Sequence, residues 1–176
     1  MATKKTVLFI GRFQPFHHGH LDVLRKLAAR YDVVKLGIGS AQYKNTLENP
    51  LSALERTRMI TSVLRDETIK NVRIYLIPDV HENKRWVVHV RAIVGAFDEV
   101  YSGNGLVLKL FRERKITTKK IRLVQPYSGT GIRQLICKKK DIQGYVPLSV
   151  YSYLKKINAF ERICRLFLKS EHLNKK

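Results

Sequence analysis

Short apolar runs recur along the chain, and between them the apolar positions spread out to helical spacing. The runs Thr6–Ile10, Val33–Ile38, Val72–Ile77, Glu99–Tyr101 and Ile121–Val124 are mostly apolar, as strands buried on both faces are. Helical patterns fall near Leu21–Arg30, Ala53–Leu64, Lys84–Val94, Leu106–Arg114, Thr130–Lys139 and Leu148–Ile157, with a last one from about Ala159 to Leu168. Ser52 and Glu55 stand at capping-box spacing before the second helix. Gly144 and Pro147 punctuate the junction before the penultimate one. Regular βα alternation predicts an α/β fold: a Rossmann-like, doubly wound parallel sheet of about five strands, helices on both faces and a helical C-terminus. Residues 1–176 then form one domain, with the helices from about residue 147 packed on it.

Such sheets bind ligands beyond the carboxyl ends of their strands, where the strand order reverses. The first strand delivers the segment Gly11-Arg12-Phe13-Gln14-Pro15-Phe16-His17-His18-Gly19-His20 to that place. Gly11 lets the backbone turn and face a ligand, and Arg12 adds a charged donor. With His17 just before the helix and His20 in its first turn, both imidazoles can point to one anion, beside the exposed N–H groups of the helix start. The groups are all donors, without an evident nucleophile or base. That inventory suits phosphoryl or nucleotidyl transfer, which rests on positioning and charge stabilisation. Zinc is a poor alternative: the pair lacks the Glu of a His-Glu-x-x-His motif and has no nearby Cys or Asp.

A second candidate loop, Tyr127-Ser128-Gly129-Thr130-Gly131-Ile132-Arg133, follows the fifth expected strand and opens a helix. Ser128 or Thr130 can cap that helix, the glycines allow close approach, and Arg133 can fork onto phosphate oxygens. Alone, this is no more than a helix cap. In the middle of the chain, Gly37 and Gly39 lack the third glycine of a dinucleotide fingerprint. The third strand leads into Pro78-Asp79-Val80-His81-Glu82-Asn83-Lys84-Arg85-Trp86. Trp86 reads first as a core residue. Together with Asp79 and Asn83 at a strand exit, it also offers the stacking surface and hydrogen bonds that recognition of a nicotinamide ring needs.

These residues carry a resemblance. His-x-Gly-His after a first strand is the signature of the nucleotidyltransferase superfamily, and the longer string from Gly11 to His20 resembles the archaeal type of nicotinamide-nucleotide adenylyltransferase. Ser128, Thr130 and Arg133 match the superfamily's Ser-x-Thr-x-x-Arg element. Asp79, Asn83 and Trp86 match the archaeal Asp-Ile-x-x-Asn-x-x-Trp element, and Ser40-Ala41-Gln42, Thr46–Pro50 and Glu55-Arg56 add to the likeness, which runs from about Val7 to about Leu168. The resemblance implies joining of the AMP moiety of ATP to nicotinamide mononucleotide (NMN), giving NAD and pyrophosphate. It assigns ATP to Gly11, Arg12, Phe13, His17, Gly19, His20, Ser128, Thr130 and Arg133, with Arg12, His17, His20 and Arg133 catalytic. It assigns the mononucleotide to Ser40, Asp79, Asn83 and Trp86. Mg²⁺ or another divalent metal would accompany ATP, with no residue of the chain as its ligand, and several copies, up to a hexamer, would assemble. The chain departs from the archaeal pattern at Asn45, His81, Lys84, Arg85 and Gly105. Positive charge from Lys84 and Arg85 at the second-substrate pocket would favour the acid form, nicotinate mononucleotide.

Composition changes this picture in one respect. Thirty-four Lys and Arg against fourteen Asp and Glu give a formal charge of +20, a field that draws polyanions without choosing between ATP and RNA. A basic RNA-binding domain on a nucleotide-binding fold is the non-enzyme alternative; transfer to phosphopantetheine or flavin mononucleotide is the alternative within the same chemistry. Two intact phosphate elements on a scattered basic surface speak against a dedicated RNA-binding module. The two cysteines, Cys137 and Cys164, read as buried thiols. No apolar run is long enough to span a bilayer and the start lacks a leader pattern, so the expected location is the cytoplasm.

Overall fold

The computed structural model describes residues 4–80, 82–121 and 128–173. Five strands, β1 (Thr6–Gly11), β2 (Val33–Gly39), β3 (Val72–Ile77), β4 (Glu99–Ser102) and β5 (Thr117–Lys120), form a parallel sheet in the order β3-β2-β1-β4-β5. The helices are α1 (His18–Arg30), α2 (Ala53–Asp66), α3 (Asn83–Val94), α4 (Gly105–Glu113), α5 (Gly129–Cys137), α6 (Leu148–Lys156) and α7 (Ala159–Leu173). The order reverses between β1 and β4, which is the switch point a doubly wound sheet offers to a ligand.

Alternation along β1 sorts the core into two layers. Val7 and Phe9 face a cluster that includes α1, α2, α5, α6 and α7; Leu8 and Ile10 face a smaller one completed by Val87, Val90 and Val94 of α3 and Phe111 of α4. The C-terminal helices belong to the larger layer through Val150, Leu154, Ala159 and Ile163. Arg162 of α7 pairs with Glu55 at 2.7 Å, so the last helix docks onto the start of α2. The expected capping box is present there: Ser52 Oγ accepts from Glu55 N, and the Glu55 carboxylate accepts from Ser52 N.

Two boundaries differ from expectation. Helix α1 begins at His18 rather than Leu21, because His17 serves as its N-cap. Among the described residues the fifth strand is Thr117–Lys120, paired with Glu99–Ser102, which the sequence did not single out. As an edge strand it needs no continuous apolar run, so a search for buried strands passes over it. Ile121 continues the ladder by donating to the Ser102 carbonyl, while residues 122–124 of the expected strand and His81 lie outside the described residues. The first glycine of the β2 pair also has a packing explanation. A Cβ on Gly37 would stand 2.6 Å from Ile77 Cδ1, so this position is glycine to let β2 and β3 side chains fit together.

Candidate active site

After β1 the chain turns tightly. A Cβ on Gly11 would lie 3.1 Å from the Phe13 ring, and Phe13 itself has φ of 53°, in the left-handed region. The turn buries Phe13 and Phe16, whose rings lie 4.9 and 5.4 Å from the His20 ring. His17 caps α1: its Nδ1 accepts from His20 N, so the neutral ring carries its proton on Nε2. The two imidazoles are stacked at 3.6 Å. Burial, and then the neighbouring His18, hold the His17 pKa down to about 4; burial, and then His17, lower that of His20. Both rings are therefore neutral donors at pH 7, and an anion arriving beside them would favour their charged forms.

Helix α5 brings the second loop against this turn. A Cβ on Gly129 would stand 2.9 Å from the Gln14 carbonyl, and Arg133 Nη1 donates to that same carbonyl at 2.8 Å. Ser128 is the helix cap, through Gly131 N; Thr130 lies inside the helix, where its hydroxyl accepts from Arg133 Nη2. Arg133 is buried, and the pKa of its guanidinium is lowered first by that burial and then by Arg12. The exposed Arg12 acts in the same sense on a third guanidinium, Arg56, whose pKa falls to about 10 through burial and then through Arg12. One exposed guanidinium within electrostatic reach of two buried ones gives this side of the site a field that favours an anion.

On the opposite side, Ser40 Oγ donates to Asp79 at 2.7 Å, and the Gln42 side chain donates to the Asp79 carbonyl and accepts from Asp79 N. Asn83 is the first residue of α3, and Trp86 stands one turn along, edge-on to Phe111 at 5.6 Å. Asn104 caps α4 through Leu106 N. Between these walls runs a cleft of about 650 Å³, bordered by Gly11, Arg12 and His20 and by Ser40, Asp79, Asn83 and Trp86. It follows the strand ends at the β1/β4 switch point and falls in the size range of nucleotide-sized sites.

Residues 8–135 match the cytidylyltransferase-like family. The nicotinamide-nucleotide adenylyltransferase of Thermoplasma acidophilum is 38% identical over 172 residues, 97% of this chain and 96% of that protein. The one from Methanococcus aeolicus is 40% identical over 166 residues, 92% and 95% of the two chains. The chain belongs to the nicotinamide-nucleotide adenylyltransferase family. Its fold also matches a bifunctional NMN adenylyltransferase/ADP ribose pyrophosphatase from Francisella tularensis, crystallised with AMP and a manganese ion, at a TM-score of 0.74 and 22% identity, over 95% of this chain and 56% of that one.

The family motifs do not all enter the cleft. Gly11, Arg12, His20, Ser40, Asp79, Asn83 and Trp86 border it. His17 lies behind His20, Gly19 is buried in the first turn of α1, and Phe13 packs edge-on against the His20 ring. Ser128, Thr130 and Arg133 lie to the side, joined to the first loop by Gln14. Trp86 is both things the sequence left open, a core residue only 8% exposed and part of the cleft wall. Lys84 and Arg85 do not bring positive charge to the second-substrate side: both are exposed, neither borders the cleft, and Arg85 pairs with Glu82 at 2.9 Å. On a helix, positions one and two residues before Trp86 point away from the face it occupies.

Two residues that the sequence offered only as part of the likeness, without a role, support the site. Gln14 clamps the segment before α2 by donating to Leu51 O and accepting from Leu51 N. Arg56, fully buried, donates to the carbonyls of Arg12, Gly39, Ser40 and Ser52. An arginine one residue past the capping-box Glu, on an otherwise apolar helix face, was the available signal. Among the described residues no helix is long and apolar enough to cross a membrane.

Proposed function

We propose that the protein is an adenylyltransferase that transfers the AMP moiety of ATP to nicotinamide mononucleotide, forming NAD and pyrophosphate. The observation that carries this reading is one cleft with two unlike ends: Arg12 and His20, with His17 stacked behind it, at one, and Ser40, Asp79, Asn83 and Trp86 at the other.

In this scheme the 5′-phosphate oxygen of the mononucleotide attacks the α-phosphorus of ATP in line. A new P–O bond forms as the bond from the α-phosphorus to the bridging oxygen of the β-phosphate breaks, and pyrophosphate leaves with that oxygen. The attacking phosphate is already ionised near neutral pH, so no general base is needed. His20 meets phosphate oxygens at the cleft wall with His17 stacked behind it, and both gain positive character as charge develops there. Arg12 and Arg133 offset charge on pyrophosphate, with the Arg133–Gln14 bond tying Arg133 to the loop that carries Arg12. The described residues contain no group of three or more His, Cys, Asp or Glu able to cage an ion, and the groups near the phosphates are cationic or neutral nitrogen donors. That setting fits Mg²⁺ carried by ATP oxygens and water, where it supplies charge neutralisation.

For the second substrate, the amide form is favoured over the acid. Arg12 and Asp79 are the charged side chains at the cleft wall, and the Asp79 carboxylate would repel a second carboxylate. An assembly of several copies, up to a hexamer, belongs to the same proposal, and light scattering on the purified protein gives the number. The deciding experiment incubates the protein with ATP, Mg²⁺ and, separately, nicotinamide mononucleotide, nicotinate mononucleotide, phosphopantetheine and flavin mononucleotide. Formation of NAD from the amide, faster than product from the other acceptors, is the expected result; failure to convert either pyridine mononucleotide refutes it.

A further inference from the structure

Arg56 is a large charged side chain that solvent does not reach, and it has no ion pair among the described residues. Its partners are four carbonyl oxygens. Nη1 donates to Arg12 O at 2.9 Å and to Gly39 O at 2.7 Å, Nη2 to Ser40 O at 3.1 Å, and Nε to Ser52 O at 3.3 Å. These oxygens come from three places: the loop after β1, the exit of β2, and the N-cap of Arg56's own helix. Arg12 lies at the end of the cleft assigned to ATP. Ser40, whose backbone has φ of 51°, lies at the other end and passes its hydroxyl hydrogen bond to Asp79.

We propose that Arg56 is a positioning residue that sets the spacing between the two substrate halves of the cleft. The role rests on the function proposed above. The planar guanidinium holds the carbonyls of Arg12 and Gly39 on one nitrogen and that of Ser40 on the next, so the strand exits of β1 and β2 are fixed relative to each other. The capping box anchors the other end of the device, because Ser52 and Glu55 lock the first turn of α2 on which Arg56 stands. A lysine has the charge but gathers its donors at one point and cannot span the same set. In-line transfer between two bound substrates is sensitive to this spacing, since a displacement of about 1 Å can cost on the order of 100-fold in rate. Each half can still bind its own ligand when the spacing is wrong.

The test separates binding from turnover. Arg56→Lys and wild-type protein are compared for dissociation constants of ATP and of nicotinamide mononucleotide measured one at a time, for kcat with both present, and for melting temperature. The expected result is both dissociation constants within about threefold of wild type and kcat lower on the order of 100-fold. A kcat within threefold of wild type overturns the proposal, and so does loss of both affinities in step with turnover, which marks a general structural role. If the lysine variant does not fold, Arg56→Ala is titrated with guanidinium ion at millimolar concentrations too low to unfold the protein. Saturable recovery of kcat at constant fluorescence and melting temperature supports the role, and no recovery overturns it. Wild-type protein that makes no dinucleotide under these conditions refutes the proposed function itself, a result distinct from an active wild type beside an unimpaired variant.

Discussion

The two ends of the cleft are built in opposite ways. At the end assigned to ATP, most working groups are tied down, with Arg12 and Thr130 left exposed: His17 is fully inaccessible, Arg133 is 6% exposed, and Phe13, Phe16 and Gln14 fill the space beneath them. At the other end, Asn83 and Ser40 are reachable from solvent, and Asp79 is held mainly by the side chains of Ser40 and Gln42. On the proposed function, the difference follows from what each end would recognise. A triphosphate is the same in every reaction of this type and rewards a rigid cage of donors, which cost no reorganisation during the reaction. An acceptor base is recognised by a few hydrogen bonds and a flat wall, and these sit on loops that can vary without disturbing the core.

The largest expected effect strikes the buried end. His20→Ala should lower kcat on the order of 100- to 1,000-fold with an unchanged circular dichroism spectrum; near-normal turnover would break the contrast between the two ends. Next is the pH dependence of stability. His17 has a folded pKa of about 4 against an unfolded value of 6.5, so its neutral form is the one the fold accommodates. Its stabilising contribution is complete above about pH 6.5 and is lost as pH falls toward 4, amounting to about 3 kcal/mol. Urea unfolding of the wild type should therefore weaken over that range more steeply than unfolding of His17→Gln, and parallel curves would refute the burial argument.

A smaller effect belongs to the open end. Asn83→Ala should raise KM for the mononucleotide about tenfold, the worth of one hydrogen bond, and leave KM for ATP unchanged; steady-state kinetics with each substrate varied in turn checks it. Smallest is the double change Lys84→Gln with Arg85→Gln. Both side chains stand outside the cleft, so the ratio of amide to acid turnover should stay within about twofold. A larger shift would mean that surface charge reaches the second substrate after all.

The buried end was also the more legible one in the sequence. Phosphate recognition needs a tight turn, a helix start and donors at fixed offsets, and these appear as Gly11, His17 and His20 within ten residues. The open end was proposed through Asp79, Asn83 and Trp86 from their place at a strand exit and from a family pattern, and the charge expected there from Lys84 and Arg85 faces elsewhere. Helix period, unlike residue type, decides which of two neighbours looks into a cleft. The edge strand escaped for the reason that it is polar: Thr117–Lys120 is held by its ladder to β4 and by the Arg112–Thr118 hydrogen bond rather than by an apolar run.

Sequence alone determined the alternation of strands and helices, the capping box of α2, and the two loops that carry the candidate anion-binding residues. All of these are local, written in periodicity and in short-range hydrogen bonding. Only the tertiary structure decided that α5 would press Gly129 against Gln14, that Arg133 would hold a carbonyl of the first loop, and that Arg56 would bridge the exits of β1 and β2. The physical reason is that each of these bonds joins residues distant in the chain, and a buried guanidinium must find its acceptors wherever packing has left carbonyls without partners.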